Sequence, residues 1–166
     1  MNEIRIFLAG LMAILLTACA SSTPAPVEER EIDARVRTPA SQDSEGVQVF
    51  PLQNPAVVQL TQDARRAEHA GDLDQAAVFL ERALRIQSRN PELMQQMAEI
   101  QLQKEEYEQA LSFAIRSYDT GPRVGEICAR NWRTIGVAKE HLNDPDGALE
   151  AEQRAGQCMI TRPVGL

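Results

Sequence analysis

The side chains that could carry chemistry in this 166-residue chain are few: three cysteines and two histidines. Cys19 closes an apolar run near the N-terminus, whereas Cys128 and Cys158 belong to the last quarter of the chain. His69 and His141 are far apart in the sequence. No HExxH metal motif, glycine-rich phosphate loop or nucleophile signature is present in the sequence. We therefore expect no enzymatic activity, no bound metal and no other cofactor.

The amino-acid composition narrows the class of protein further. Apolar residues make up 43% and charged residues 25% of the chain, which is typical of a globular protein of one modest domain. The formal net charge is −7. An acidic chain lacks the basic footprint that nucleic acids require, so no nucleic-acid partner is expected.

The N-terminus has the pattern of a targeting signal. Residues 6–16 form an apolar run that is too short to span a bilayer and suits a secretory signal. The run ends in Leu16-Thr17-Ala18-Cys19, which resembles the bacterial lipobox. The resemblance implies a signal peptide over residues 1–18 and a palmitate-type acyl anchor on Cys19. The alternative is an ordinary signal peptide with an incidental cysteine.

The residue that follows Cys19 indicates a destination. It is Ala20 rather than aspartate, and in lipoproteins of Gram-negative bacteria this implies sorting to the outer membrane, with the folded domain facing the periplasm. Residues 19–54 then read as the lipidated cysteine and a tether, since 20–46 are small, proline-interrupted and charged, a composition typical of disorder. The tether could let the domain leave the membrane surface or act as a passive spacer.

Beyond the tether, residues 55–166 carry a repeat of small residues. Ala76 and Ala110 lie 34 positions apart, and Trp132, Gly136 and Ala148 continue the same large-and-small pattern. This resembles the tetratricopeptide repeat (TPR), a 34-residue helix-turn-helix unit. The resemblance implies an all-α fold of three units, 57–90, 91–124 and 129–162, in a short right-handed solenoid. The alternative is a generic helical bundle whose alanines align by chance.

Helix starts are marked by a capping side chain followed by proline. Asn54, Asn90 and Asp144 each precede a proline, which lacks the N–H that a first helical residue leaves unpaired. We expect helices near 55–70, 73–87, 91–104, 107–119, 126–142 and 145–158.

A TPR array works by binding, and in this family the first helix of each unit lines the concave face. Carried onto this sequence, the partner-binding residues would be Arg65, His69, Gln95, Glu99, Leu102, Arg130, Arg133, Val137 and His141. The arginines would form a basic spot suited to carboxylates of a peptide. The alternative is that they only balance nearby glutamates. His69 and His141, two units apart, are too distant to share a metal.

The last two cysteines are predicted to form a disulfide. With Cys19 acylated, Cys128 and Cys158 remain in an oxidising compartment. Cys128 begins the first helix of the third unit and Cys158 ends the second, and these ends meet in an antiparallel helix pair. The alternative is two buried free thiols.

The whole mature chain resembles small TPR lipoproteins of the Gram-negative outer membrane. One such group comprises the lipoprotein activators of class A penicillin-binding proteins. That resemblance implies a scaffold for protein–protein interaction in cell wall biogenesis, with an envelope protein or peptide as partner and a peptidoglycan synthase as the candidate. The alternative is a pilotin-like TPR lipoprotein that assists assembly of a type IV pilus or secretin complex. Proteins of that second group usually carry more than three repeats.

Overall fold

A computed structural model describes residues 28–37 and 54–158, and within these ranges all regular structure is helical. A short helix α1 (Glu29–Ile32) runs into a π-helical turn (Asp33–Arg37). Six longer helices follow: α2 (Pro55–His69), α3 (Leu73–Ile86), α4 (Pro91–Gln103), α5 (Tyr107–Thr120), α6 (Glu126–His141) and α7 (Pro145–Gln157). Each of the six agrees with the sequence prediction to within one residue at either end.

The six long helices pair as three helix-turn-helix units. α2 packs on α3, α4 on α5 and α6 on α7, while α3 contacts α4 and α5 contacts α6. α4 also contacts α6, so the first helices of the second and third units lie side by side. The all-α TPR fold is therefore confirmed.

Small residues stand wherever the helices of a unit cross. The nine positions that the repeat assigns to them are all buried: Ala64, Ala76, Ala83, Ala98, Ala110, Ser117, Gly136, Ala148 and Ala155. At Gly136, an added Cβ would lie 3.6 Å from the Ala148 carbonyl oxygen and 3.7 Å from Cβ of Ala151. Close approach of the backbones therefore accounts for the repeat of small residues.

The predicted caps start three of the helices. Asn54, Asn90 and Asp144 each accept a hydrogen bond from a backbone N–H in the first turn of α2, α4 and α7. Asp72 caps α3 in the same way, by accepting from a backbone N–H in the first turn of that helix. These bonds satisfy donors that the helix itself leaves unpaired.

The turn inside each unit is the same. Gly71, Glu105 and Asn143 follow α2, α4 and α6 by two residues and have positive φ angles of 76°, 61° and 59°. In each turn the N–H of the next residue donates at 2.9 Å to the carbonyl five positions earlier. This left-handed closure is common at helix C-termini and aligns the second helix of each unit against the first.

The tether prediction is wrong for residues 28–37. This stretch is helical, and Ile32 and Val36 are completely buried. Two apolar side chains one helical turn apart give the stretch a face that it buries against the repeats. Residues 1–27, 38–53 and 159–166 lie outside the described ranges. They include the predicted signal peptide (1–18), Cys19, the remainder of the predicted tether (20–27 and 38–53) and the end of the third predicted repeat, and the boundaries predicted there stay predictions.

Candidate functional site on the concave face

The N-terminal segment, residues 28–37, lies across the concave face, the side of the stack formed by α2, α4 and α6. Its two buried side chains, Ile32 and Val36, form one apolar cluster with Leu102 of α4 and Val137 and Ala138 of α6. Tyr107 and Leu111 of α5 border this cluster. The face where a TPR protein is expected to bind its partner is therefore covered by a part of the same chain.

The buried carboxylate of Glu99 lies at the centre of this face. Glu99 has no solvent exposure and accepts hydrogen bonds from Nε of Arg37 at 2.7 Å and from Nε of Arg130 at 3.2 Å. Nε2 of Gln95 donates to the same carboxylate at 3.0 Å and to Oγ1 of Thr134 at 2.7 Å. Two guanidinium groups and an amide offset the cost of keeping this charge away from water.

Arg37 connects the segment to two helices at once. While its Nε reaches Glu99, an Nη donates to Glu68 at 2.8 Å, and the other Nη donates to Asp33 at 3.0 Å. Burial alone would lower the pKa of Arg37, but the carboxylates of Glu99 and Glu68 outweigh it and raise that pKa above its ordinary value. Gln103 also donates to Glu68 at 2.6 Å. The acidic pair on α2 and α4 thus binds a fixed positive charge.

Two weaker contacts lie at the rim. Arg35 donates to Glu140 at 2.7 and 2.8 Å, and Glu29 pairs with Nδ1 of His69 at 2.8 Å. These side chains are partly or largely exposed, and exposed ion pairs contribute roughly 0–1 kcal/mol. They orient the segment more than they stabilise it.

Arg133 fastens the C-terminal end of the segment. Its Nε donates to the carbonyl oxygen of Val36 at 2.7 Å, and an Nη donates to Glu126 at 3.0 Å. Burial lowers the pKa of Arg133 in spite of the nearby Glu126, and burial raises the pKa of Glu126 in spite of Arg133. Arg133 and Glu126 therefore pair with each other inside the protein.

Most of the predicted concave-face residues come together around the segment. Those against or beneath it are Gln95, Glu99, Leu102, Arg130, Arg133 and Val137. His69 meets the start of the segment through Glu29, and His141 stacks on Tyr107 with ring centroids 4.4 Å apart. Arg65 is exposed. A role of these nine residues in binding an external partner stays a prediction.

The charge of this face favours the second of the two sequence interpretations. Arg130 pairs with Glu99 and Arg133 with Glu126, so these two arginines balance glutamates instead of forming a basic spot. The groups that face the segment and pair with its arginines are acidic. A carboxylate ligand for this face stays a prediction.

The third unit is closed covalently. Cys128 and Cys158 form a disulfide with their Cα atoms 5.7 Å apart, and the N–H of Gly125 donates to the Cys158 carbonyl at 2.7 Å. Tyr118 and Trp132 pack against the two cysteines. The disulfide thus holds the start of α6 and the end of α7 together within the third unit.

Sequence reasoning missed the segment itself. The side chains that attach it to the repeats include Ile32, Arg35, Val36 and Arg37. The available signal was the spacing of Ile32 and Val36 within a charged stretch. Two apolar residues over one turn do not stand out from chance, and the acidic positions they approach belong to helices far along the chain.

Within the described ranges, no helix is long and apolar enough to cross a membrane. The same residues contain no cluster of three or more histidine, cysteine, aspartate or glutamate side chains that could hold a metal ion.

The fold and its concave face define a TPR protein, the class of protein-interaction scaffolds. A family model described as tetratricopeptide repeat matches residues 67–117. A solved structure, the globular C-terminal domain of LpoP from P. aeruginosa, matches with 31% identity and a TM-score of 0.61. That match covers 63% of this chain and 98% of the LpoP domain. No curated protein sequence matches the chain. The chain belongs to the LpoP family.

Proposed function

We propose that the protein is a lipid-anchored periplasmic scaffold of the outer membrane that activates a peptidoglycan synthase, a class A penicillin-binding protein. The observation that carries this proposal is the match to the LpoP domain, nearly all of which this chain covers at 31% identity. It agrees with the sequence resemblance to lipoprotein activators of such synthases. A stack of TPR units supplies a binding surface rather than reacting groups.

The anchor in this proposal is Cys19. Each buried methylene of an acyl chain contributes about 0.8 kcal/mol, and stable attachment takes more than one chain. A multiply acylated cysteine would hold the domain at the outer membrane, while a synthase of the inner membrane lies across the periplasm. The chain between Cys19 and the repeats would therefore set how far the domain reaches.

The test is direct reconstitution. Mature protein from residue 20 onward is added to the purified class A penicillin-binding protein of the same organism, and the rate of glycan polymerisation is measured. We expect the rate to rise several-fold, and we expect the synthase to be captured from crosslinked envelopes. Capture of a secretin instead of the synthase, with an unchanged polymerisation rate, would contradict the proposal.

A further inference from the structure

The N-terminal segment shows what chemistry the concave face accepts. We propose that this face binds a short helix of the partner, carrying two apolar side chains four residues apart and an arginine just after them. Residues 28–37 are then an internal occupant that the partner helix displaces. This inference rests on the proposed function only in taking the partner to be an envelope protein.

The apolar requirement comes from the floor of the face. Ile32 and Val36, both with zero exposure, enter the cluster around Leu102 and Val137. Residues four apart lie on the same side of a helix, one turn from each other. A partner helix needs the same spacing to cover the same apolar cluster, because a gap there would leave apolar surface in contact with water.

The arginine requirement comes from Glu99 and Glu68, whose side chains are 0% and 6% exposed. Arg37 bridges them, with Nε on one carboxylate and an Nη on the other. Without it, two poorly solvated carboxylates lose a shared cation, and breaking such a pairing is costly. The planar fork of arginine spans both acids, whereas lysine offers a single point charge. Arginine is therefore the side chain that a partner must bring.

The segment is short and has few buried residues, so a competing helix can displace it. Its α-helical part, Glu29–Ile32, has four residues, and only Ile32 and Val36 are buried. Such short helices are unstable on their own. Sixteen residues, 38–53, join the segment to α2, and covalent connection over such a length makes rebinding intramolecular, with an effective concentration on the order of millimolar. A partner helix that repeats these contacts and adds its own can overcome that competition.

Displacement would also lengthen the tether. With the segment seated, nine peptide steps separate Cys19 from Glu28, which is at most about 31 Å. With the segment released, 35 steps separate Cys19 from Asn54, which is at most about 120 Å. Occupation of the concave face by a partner would therefore free the anchored domain to stand farther from its membrane.

The experiment uses a fluorescent peptide of residues 28–37 and the mature chain in three forms. These are wild type, Val36→Asp at a buried position and Ala34→Asp at an exposed position of the same segment. Both variants add one negative charge, so Ala34→Asp is the matched control. We expect the peptide to bind Val36→Asp at least tenfold more tightly than the other two. A peptide carrying Arg37→Met should bind at least tenfold more weakly than the natural peptide.

Equal peptide binding by the three chains, or none by any of them, overturns the inference. Circular dichroism checks that Val36→Asp remains folded. If it does not, a protease site placed within 38–53 of the otherwise natural chain serves instead. After cleavage, the fragment bearing residues 28–37 should be exchanged by labelled peptide in solution. If labelled peptide does not replace this fragment, displacement is refuted.

Capture of the synthase from crosslinked envelopes distinguishes failure of this inference from failure of the proposed function. Val36→Asp should capture more penicillin-binding protein than Ala34→Asp. Equal capture places the partner on another surface and overturns displacement. Peptide exchange without capture of the synthase by any form defeats the proposed function while leaving the chemistry of the concave face intact.

Discussion

Arg37 and Glu99 form an ion pair across 62 residues of sequence, with Nε of the arginine 2.7 Å from a carboxylate oxygen that is closed to solvent. This pair joins the N-terminal segment to the middle of the repeat stack. Because Arg130 reaches the same carboxylate from α6, one buried charge connects the segment, the second unit and the third. The concave face is thus organised around an acid and its two arginines.

Removing the guanidinium should loosen the segment while the repeats stay folded. Arg37→Met keeps an unbranched stem but takes the charge from Glu99 and Glu68. Hydrogen bonds to charged groups contribute about 1.5–3 kcal/mol, so we expect a loss of about 2 kcal/mol in docking. Limited proteolysis within 28–37 measures it. Arg30→Met, at an exposed position of the segment, is the control and should change the cleavage rate little.

Glu105 occupies a turn position that favours glycine. Its φ of 61° is costly for a residue with a Cβ, and Gly71 holds the equivalent place in the first unit. Glu105→Gly should raise the free energy of unfolding by about 0.5–1 kcal/mol, net of the added freedom of the unfolded chain. Glu81→Gly, in the exposed middle of α3, should lower it by about 1 kcal/mol. Denaturant unfolding of both variants tests these two expectations. A lower free energy of unfolding for Glu105→Gly would refute backbone strain at Glu105.

Sequence reasoning reached the repeats because their signals are local. Proline after Asn54, Asn90 and Asp144 marks helix starts through the missing N–H, and small residues 34 apart mark helix crossings through sterics. Both act within one unit or between adjacent ones. The position of every long helix follows from them.

The occupied concave face could not be reached in that way. Ile32 and Val36 are buried only because Leu102 and Val137, more than sixty residues later, form a floor of matching size. The family pattern indicated which helices line the face, but it did not indicate that Glu99 was already paired. Charge pairing over such separations depends on tertiary structure, and no spacing in the sequence records it.

Asp144 should make stability depend on acid pH. A hydrogen bond from Lys139, followed by one from the backbone of Gly147, lowers the pKa of Asp144 below its ordinary value of 3.8. A folded pKa below the unfolded one means that this stability is fully present above 3.8 and is lost as the pH falls through the folded pKa. Asp144→Asn should melt below wild type at neutral pH, and the difference should close in acid. Asp146→Asn, in the same turn, is the control; a gap that persists in acid would contradict the assignment.

Cys19 should be the membrane anchor, since it alone follows Leu-Thr-Ala at the end of the apolar run. Cys19→Ser removes the thiol that would carry the acyl chains, so the protein should move from the membrane pellet to the soluble periplasmic fraction. Mass spectrometry of the wild-type N-terminus should show lipid on this residue. Pelleting that is unchanged by the substitution, together with a lipid-free N-terminus, would rule out the anchor.

The disulfide between Cys128 and Cys158 should stabilise the third unit of the stack. It closes a loop of 30 residues, and constraint of the unfolded chain over that length contributes about 3–4 kcal/mol. The double variant Cys128→Ser/Cys158→Ser should therefore unfold at lower denaturant, with the loss concentrated in α6 and α7, where hydrogen exchange should rise first. Maleimide labelling of denatured, unreduced protein from the periplasm provides the chemical test. Labelling only after reduction is expected, whereas two labelled thiols before reduction would show that the bridge does not form.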